Sequence, residues 1–121
     1  MLSLGWGNQF DAARCNTDEG GVGGTTPVGQ YSPRGESPYG CADMAGNVWE
    51  WCADWYDADY YAQSPARNPA GPGSGDYRVL RGGSWDNYVD IARSAFRYWN
   101  YPVIRYDYIG FRCCVSPTSS L

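Results

Sequence analysis

RVLRGGSWDNYVDIARSAFRYWNYPVIRYDYIGFR, residues 78–112, holds two kinds of position. One kind reads as a frame: Arg78-Val79-Leu80-Arg81 running into Gly82-Gly83-Ser84-Trp85, then Arg93-Ser94-Ala95, Arg97, Pro102, Arg105 and Ile109-Gly110-Phe111-Arg112. The other kind fills the gaps: Asp86-Asn87-Tyr88, Asp90, Phe96, Tyr98-Trp99-Asn100-Tyr101, Val103-Ile104 and Tyr106-Asp107-Tyr108. Packing against a core imposes a period of about 2 or 3.6 residues. Tyr88, Tyr98, Tyr101, Tyr106 and Tyr108 follow neither for long. Asp and Asn interleave with them, and a dry core tolerates those only when they are hydrogen-bonded. The frame is therefore expected to hold a fold, and the filler, over about 86–108, to form an exposed ligand-binding face. Core packing of the tyrosines is the competing reading.

The same stretch predicts secondary structure. Residues 78–85 alternate enough for a strand ending in a Gly-Gly bend, and 109–115 read as a second strand with Phe111 inward. Upstream, Thr25 to Tyr31 reads as a short strand, and Ser32 to Gly40 as a turn cluster built on Pro33, Gly35 and Pro38. Trp49, Trp51 and Tyr56 read as extended and inward, and Asp59-Tyr60-Tyr61 as a helical turn opening a Pro- and Gly-rich loop. Gly20 to Gly24 is read as a flexible turn; no Lys-Ser/Thr follows it, so it is not a phosphate-binding loop. With 121 residues, 16 Gly and 8 Pro, the expectation is one α+β domain over 1–121, mostly loops and short antiparallel strands with one or two short helices. Aliphatic residues are few, so Trp and Tyr must supply much of the buried area.

Composition narrows the function. All nine positive charges are Arg, there is no His, and 13 carboxylates leave a net charge of −4. A nucleic-acid binder would carry a basic field, so that class is set aside. No apolar run reaches the roughly 18 residues needed to span a bilayer. The N-terminal MLSLGWG lacks the basic segment and apolar core of a secretory signal. Virion, cell-surface and cytoplasmic locations all stay open. The five Cys (Cys15, Cys41, Cys52, Cys113, Cys114) form no CxxC pair, and without His they complete no zinc site. Buried free thiols are the expectation, with one disulfide as the alternative.

Asp43-Met44-Ala45-Gly46-Asn47-Val48-Trp49-Glu50 places two carboxylates around a Gly-bearing turn. Carboxylates with backbone carbonyls between them suit a hard cation such as calcium. The alternative is that Asp43 caps a turn while Glu50 pairs with an Arg of the frame.

Four segments in order carry a resemblance. Thr25-Thr26-Pro27-Val28-Gly29, residues 39–51 (YGCADMAGNVWEW), Arg81-Gly82-Gly83-Ser84-Trp85 and Gly110-Phe111-Arg112-Cys113 resemble the formylglycine-generating (sulfatase-modifying factor) family. The resemblance runs from about Gly5 to Val115 and covers the later part of such domains. It implies a minimal version of their C-type lectin fold variant. It also implies calcium held by the side chains of Asp43 and Glu50 and the carbonyls of Gly46 and Val48. A second calcium site of the family would fall near Asn16 and Thr17, where its acidic position aligns near Gly20.

The resemblance does not bring the enzymes' chemistry with it. The copper-binding Cys pair of the formylglycine-generating members would fall in residues 86–92, DNYVDIA, which has no Cys. The sulfur-oxidising members use a His-based iron site, and this chain has no His. Neither copper nor iron is expected, and the chain is read as a non-enzyme.

The frame and filler of residues 78–112 are similar to the variable proteins of diversity-generating retroelements. There, adenines of Asn codons are miscopied into codons for Asn, Asp, Tyr, Ile, Val, Phe and Ser among others. The filler is drawn almost entirely from that set, with Trp99 the exception. The resemblance implies a ligand-binding face made by Asp86, Asn87, Tyr88 and Asp90, then Phe96, Tyr98, Trp99, Asn100 and Tyr101, then Ile104, Tyr106, Asp107 and Tyr108. Its partners would be proteins or other surface molecules. Arg93, Arg97, Arg105 and Arg112 are expected to hold the loops through carbonyl hydrogen bonds. A degenerate or split oxidoreductase of the same family, and a fixed structural module of a phage or surface assembly, are the rival readings.

Overall fold

The computed structural model describes residues 3–117. Its centre is a four-stranded mixed sheet of order β3-β2-β1-β4, with β1 Trp49–Trp55, β2 Arg78–Arg81, β3 Tyr98–Asn100 and β4 Ile109–Gly110. β1 and β2 pair antiparallel with Trp51 opposite Leu80, and the register shifts between Trp51 and Trp55. β3 pairs antiparallel with β2, setting Tyr98 opposite Leu80 and Trp99 opposite Val79. β4 runs parallel to β1, which corrects the expectation of an all-antiparallel sheet. The chain reaches β4 through the long 101–108 loop instead of a hairpin, and only such a crossover makes a parallel neighbour.

Val79 and Leu80 sit in the middle strand pair, and Leu80 is completely inaccessible. Burying such a side chain contributes about 1.5–3 kcal/mol. Trp49 is buried, while Trp51 and Tyr56 are half-buried. A second small core of Leu4, Cys15, Ala45 and Ala92, backed by Trp6, Phe10 and Val89, ties the N-terminal loops to the segment after the Gly-Gly bend. Among the described residues the helical content is two 3₁₀ turns, Asp18–Gly20 and Tyr60–Ala62; the second is the turn expected around Tyr60. No helix among the described residues is long and apolar enough to cross a membrane.

Three strand expectations change. β2 stops at Arg81 because Gly82 and Gly83 take φ of 95° and 70°, turning the chain out of the ladder. Thr25 to Tyr31 is a chain of turns: Gln30 N–H donates to Pro27 O and Ser32 N–H to Gly29 O. Thr26 bonds the Asn47 side chain instead of a neighbouring strand. β4 ends at Gly110, and Phe111 is 76% exposed. Arg112 is exposed as well; it reaches back to bond Glu50, and Phe111 lines the same cavity beside it.

Asn47 joins the two halves. It is buried with φ of 70°, a conformation Asn adopts more readily than most residues. Its Oδ1 accepts from Thr26 N–H (2.9 Å) and Asn16 Nδ2 (3.3 Å), and its Nδ2 donates to Thr26 O. Its backbone N–H donates to Asn16 O, and its carbonyl accepts from Trp85 N–H. Beside it, Gly46 has φ of 80° and donates to Gly82 O; a Cβ there would lie 2.2 Å from Asn16 O.

Candidate functional site: an aromatic face beside the Gly-Gly bend

A cavity of about 340 Å³ opens where the expected filler leaves the frame. β1 contributes Trp49 and the turn after the Gly-Gly bend contributes Ser84, Asp86 and Asn87. The following loop adds Ile91 and Phe96, β3 adds Tyr98, and Tyr108 closes the far side just before β4. Five of the thirteen residues expected on a ligand face thus meet here: Asp86, Asn87, Phe96, Tyr98 and Tyr108. Trp49, Ser84 and Ile91 were not foreseen as lining residues.

Five rings form one run, and two further pairs stand apart from it. Trp49 lies 6.1 Å from Phe96 and 5.3 Å from Tyr98, centre to centre. Tyr98 lies 5.4 Å from Trp99, which stacks on Tyr56 at 4.4 Å. Tyr106 stacks on Tyr108 at 5.0 Å, and Tyr101 lies 4.7 Å from Tyr77, whose hydroxyl it contacts at 3.3 Å. Tyr98, Trp99, Tyr101 and Tyr106 are exposed, and Tyr108 is half-buried. Tyr56 and Tyr77 belong to the face yet lie outside 78–112; only their density in aromatic stretches pointed to them.

The rest of the expected set is dispersed. Tyr88, Asp90 and Asp107 are exposed and Ile104 is half-buried; none of them lines this cavity. Two residues are spent on local structure. Asn87 Oδ1 accepts from Ser84 N–H (3.1 Å) and Ser84 Oγ–H (2.8 Å), and Asn100 Oδ1 accepts from Tyr101 N–H (2.9 Å). Asn87 therefore also shapes the turn that presents Asp86.

Arginines hold these loops. Arg81 donates to the carbonyls of Ser94 (3.0 Å) and Phe96 (3.4 Å) and to the Tyr61 hydroxyl. Arg97 donates to Asp57 O and lies over the rings of Tyr56 (5.0 Å) and Tyr61 (4.2 Å). Arg112 donates to the carbonyls of Ala42 and Asp43. Arg93 instead lies over the Phe96 ring, 5.7 Å from its centre, and Arg105 is exposed. Carbonyl anchoring thus falls to Arg81, Arg97 and Arg112, and Arg81 was not among the four expected.

Asp43, Gly46, Val48 and Glu50 line a second cavity of about 190 Å³ together with Arg112 and Phe111. Glu50 accepts from Arg112 Nε and Nη2, both at 2.5 Å, and Asp43 Oδ2 accepts from Gly29 N–H at 2.7 Å. The hydrogen bonds to Glu50 push the Arg112 guanidinium above its usual value, against the effect of partial burial. Both Glu50 oxygens are engaged by a guanidinium, and one Asp43 oxygen by a backbone donor. A cation at this turn would first have to displace Arg112 from Glu50. Asn16 is buried with its Oδ1 unpartnered, and its Nδ2 bonds Gly24 O.

A larger opening, about 400 Å³, lies in the N-terminal loop around Trp6, Gln9, Phe10 and Asp11. Its polar groups serve one another: Asp11 pairs with Arg14 and Arg34, and Trp6 Nε1 donates to Gln9 O. It has neither the ring cluster nor the unpaired carboxylate of the aromatic face. All five Cys are free thiols, and only Cys15 is buried; Cys41, Cys113 and Cys114 are exposed. Burial pushes the Cys15 thiol up to about 11 and raises Cys52 as well, so neither is set up as a thiolate nucleophile.

Residues 3–117 match the sulfatase-modifying factor enzyme 1-like domain model. The chain is 46% identical over 111 residues to the formylglycine-generating enzyme of Streptomyces coelicolor, covering 89% of this chain and 34% of that protein. The structure of PvdO from Pseudomonas aeruginosa superposes with a TM-score of 0.70 at 31% identity, over 84% of this chain and 38% of the other. Treponema denticola variable protein 1 superposes with a TM-score of 0.69 at 25% identity, over 92% and 45%. The chain thus spans less than half the length of each.

Proposed function

The chain belongs to the sulfatase-modifying factor enzyme 1-like domain family, and from that premise we propose that it is a non-enzymatic ligand-binding member whose aromatic face, residues 86–108, is the diversified product of a retroelement. The observation that carries the reading is the run of rings around the cavity at Trp49 and Tyr98, with Tyr98 and Trp99 exposed. Tyr and Trp offer large, rigid contact area with few torsions to freeze, while Asp and Asn add adaptable hydrogen bonds; antibody paratopes use the same mixture. The likeness to a variable protein of Treponema denticola supports it. It also supports the finer fold reading, a C-type lectin variant built as a small curled sheet under long loops. Display on a virion or cell surface is part of the proposal.

The test is to sequence the coding locus across a population. Scatter confined to filler positions such as 98, 101, 106 and 108, with the frame constant, supports the proposal. A fixed 86–108 segment refutes it and favours a structural module.

The 46% identity to a formylglycine-generating enzyme favours a second reading, a degenerate or split oxidoreductase. Residues 86–92 carry no Cys for a copper pair, and the adjacent thiols Cys113 and Cys114 follow the Phe-Arg motif instead. Copper titration followed by oxygen consumption with a Cys-containing peptide separates the two readings; turnover would establish the enzyme. Calcium at Asp43, Gly46, Val48 and Glu50 stays in the proposal as a structural ion that competes with Arg112 for Glu50. A rise in melting temperature with calcium, reversed by chelation, supports it, and an unchanged melt removes it.

A further inference from the structure

The chemistry of the aromatic cavity, if that face is the ligand site proposed above, selects one kind of ligand. Its walls are the rings of Trp49, Phe96, Tyr98 and Tyr108. At its rim stands Asp86, whose carboxylate makes no ion pair or hydrogen bond among the described residues; only its backbone N–H is bonded, to Ser84 Oγ. No Arg lines the cavity, and the nearest ring-bound one, Arg93, lies over Phe96 without entering the lining. The Tyr108 phenol is raised first by burial and then by neighbouring groups, Asp107 and Asp86 among them, as expected in a region of negative potential.

Ring faces carry negative quadrupole charge and attract cations brought within about 6 Å of their centres. An unpaired carboxylate beside several such faces is the usual composition of an ammonium cage. An anionic ligand would be repelled by Asp86, and a neutral apolar one would cover that carboxylate without pairing it. The exposed rings continue beyond the cavity through Trp99 to Tyr56, a surface broader than a small amine would use.

We infer that this cavity is a cage for an alkylammonium head group, the lysine side chain of a protein partner, with an N-methylated lysine fitting best. Trp49, Phe96, Tyr98 and Tyr108 surround the cation and Asp86 supplies the counter-charge. The remaining exposed rings contact the partner around that lysine.

The probe is a blocked Gly-trimethyllysine-Gly tripeptide, compared with its neutral isostere in which carbon replaces the ammonium nitrogen. Binding is followed by tryptophan fluorescence and calorimetry. The cation should bind about tenfold more tightly than the isostere. Asp86→Asn, a surface change whose fold is checked by circular dichroism, should remove most of that preference and leave the isostere unaffected. Tyr98→Leu should weaken both. Equal binding of cation and isostere, an Asp86→Asn variant that keeps the full preference, or no tripeptide binding at all overturns the cage. Competition by neutral methyl glycosides in place of the amine overturns it too. A display-selected protein binder, lost on Tyr98→Ala and Tyr108→Ala, separates the two levels. Its survival alongside tripeptide failure refutes the cage and keeps the ligand face. A binder indifferent to both substitutions refutes the face itself.

Discussion

Gly46→Ala should destabilise this protein strongly for a single added methyl, for two separable reasons. Its backbone has φ of 80°, where a residue with a Cβ loses about 1–2 kcal/mol. The new methyl would also stand 2.2 Å from Asn16 O and 2.8 Å from Asn16 C, both backbone atoms that cannot rotate away. Relief requires the two loops to part. That breaks the Asn47 N–H bond to Asn16 O at 2.8 Å and strains the Gly46 N–H bond to Gly82 O at 2.7 Å. At about 0.5–1.5 kcal/mol per bond, added to the dihedral cost, the loss is about 3 kcal/mol. For a chain of this size that lowers the melting temperature by roughly 10 °C. Gly40→Ala is the control: its φ is 78°, but nothing lies within 4 Å of the added carbon, so only the dihedral cost remains. Thermal unfolding followed by circular dichroism measures both. If the two variants melt together, or Gly46→Ala melts within about 3 °C of the parent, the loop contact at Asn16 does not hold the fold as argued.

Asn47→Gly keeps the left-handed backbone but loses the Thr26 and Asn16 side-chain bonds, and should cost about 2 kcal/mol in urea unfolding. Asn47→Ala should cost more, since it loses the conformational tolerance as well. Burial is the largest single influence on the Glu19 carboxyl and works to raise it, but hydrogen bonds from Val89 N–H at 2.7 Å, the Thr17 side chain and its own backbone together outweigh burial and hold the group below its usual value. A depressed folded-state value stabilises above the unfolded one and is lost as pH falls through the folded one. The stability difference between parent and Glu19→Gln should therefore be level near neutral pH and shrink below about pH 4.5; a difference that grows on acidification contradicts the bond. With a thiol-specific disulfide reagent at mild alkaline pH, Cys41, Cys113 and Cys114 should react quickly and Cys15 only on unfolding.

The sequence announced the middle of the fold better than its edges. Residues 78–85 read as a strand, and the first four, Arg78–Arg81, form one, because Val79 and Leu80 are apolar and Gly82-Gly83 ends it early. Phe111 misled because its apolar side chain suggested an inward place, whereas β4 ends at Gly110 and the residues that follow are exposed. The Arg112–Glu50 contact joins residues far apart in the chain; the pairing of Glu50 with an Arg of the frame was expected only as the alternative to calcium, with nothing local to say which Arg. The parallel pairing of β4 was hidden for the same reason. At the candidate site, the exposure of Tyr98, Trp99, Tyr101 and Tyr106 followed from their lack of period and their Asp and Asn neighbours. The contribution of Trp49 was invisible, since a residue 4% exposed can still form the floor of an open cavity. Asn87 belonged to the expected face by residue type, yet its amide oxygen is committed to Ser84.

The arginine contacts have a consequence for mutational tolerance. Arg81 grips the loop through the carbonyls of Ser94 and Phe96, and Arg97 through that of Asp57. A carbonyl is present whatever side chain the position carries, so exchanging Phe96 for Asn, Ser or Val leaves the Arg81 contact chemically intact. The loop is fastened through main-chain atoms, so this contact survives whatever side chain occupies position 96.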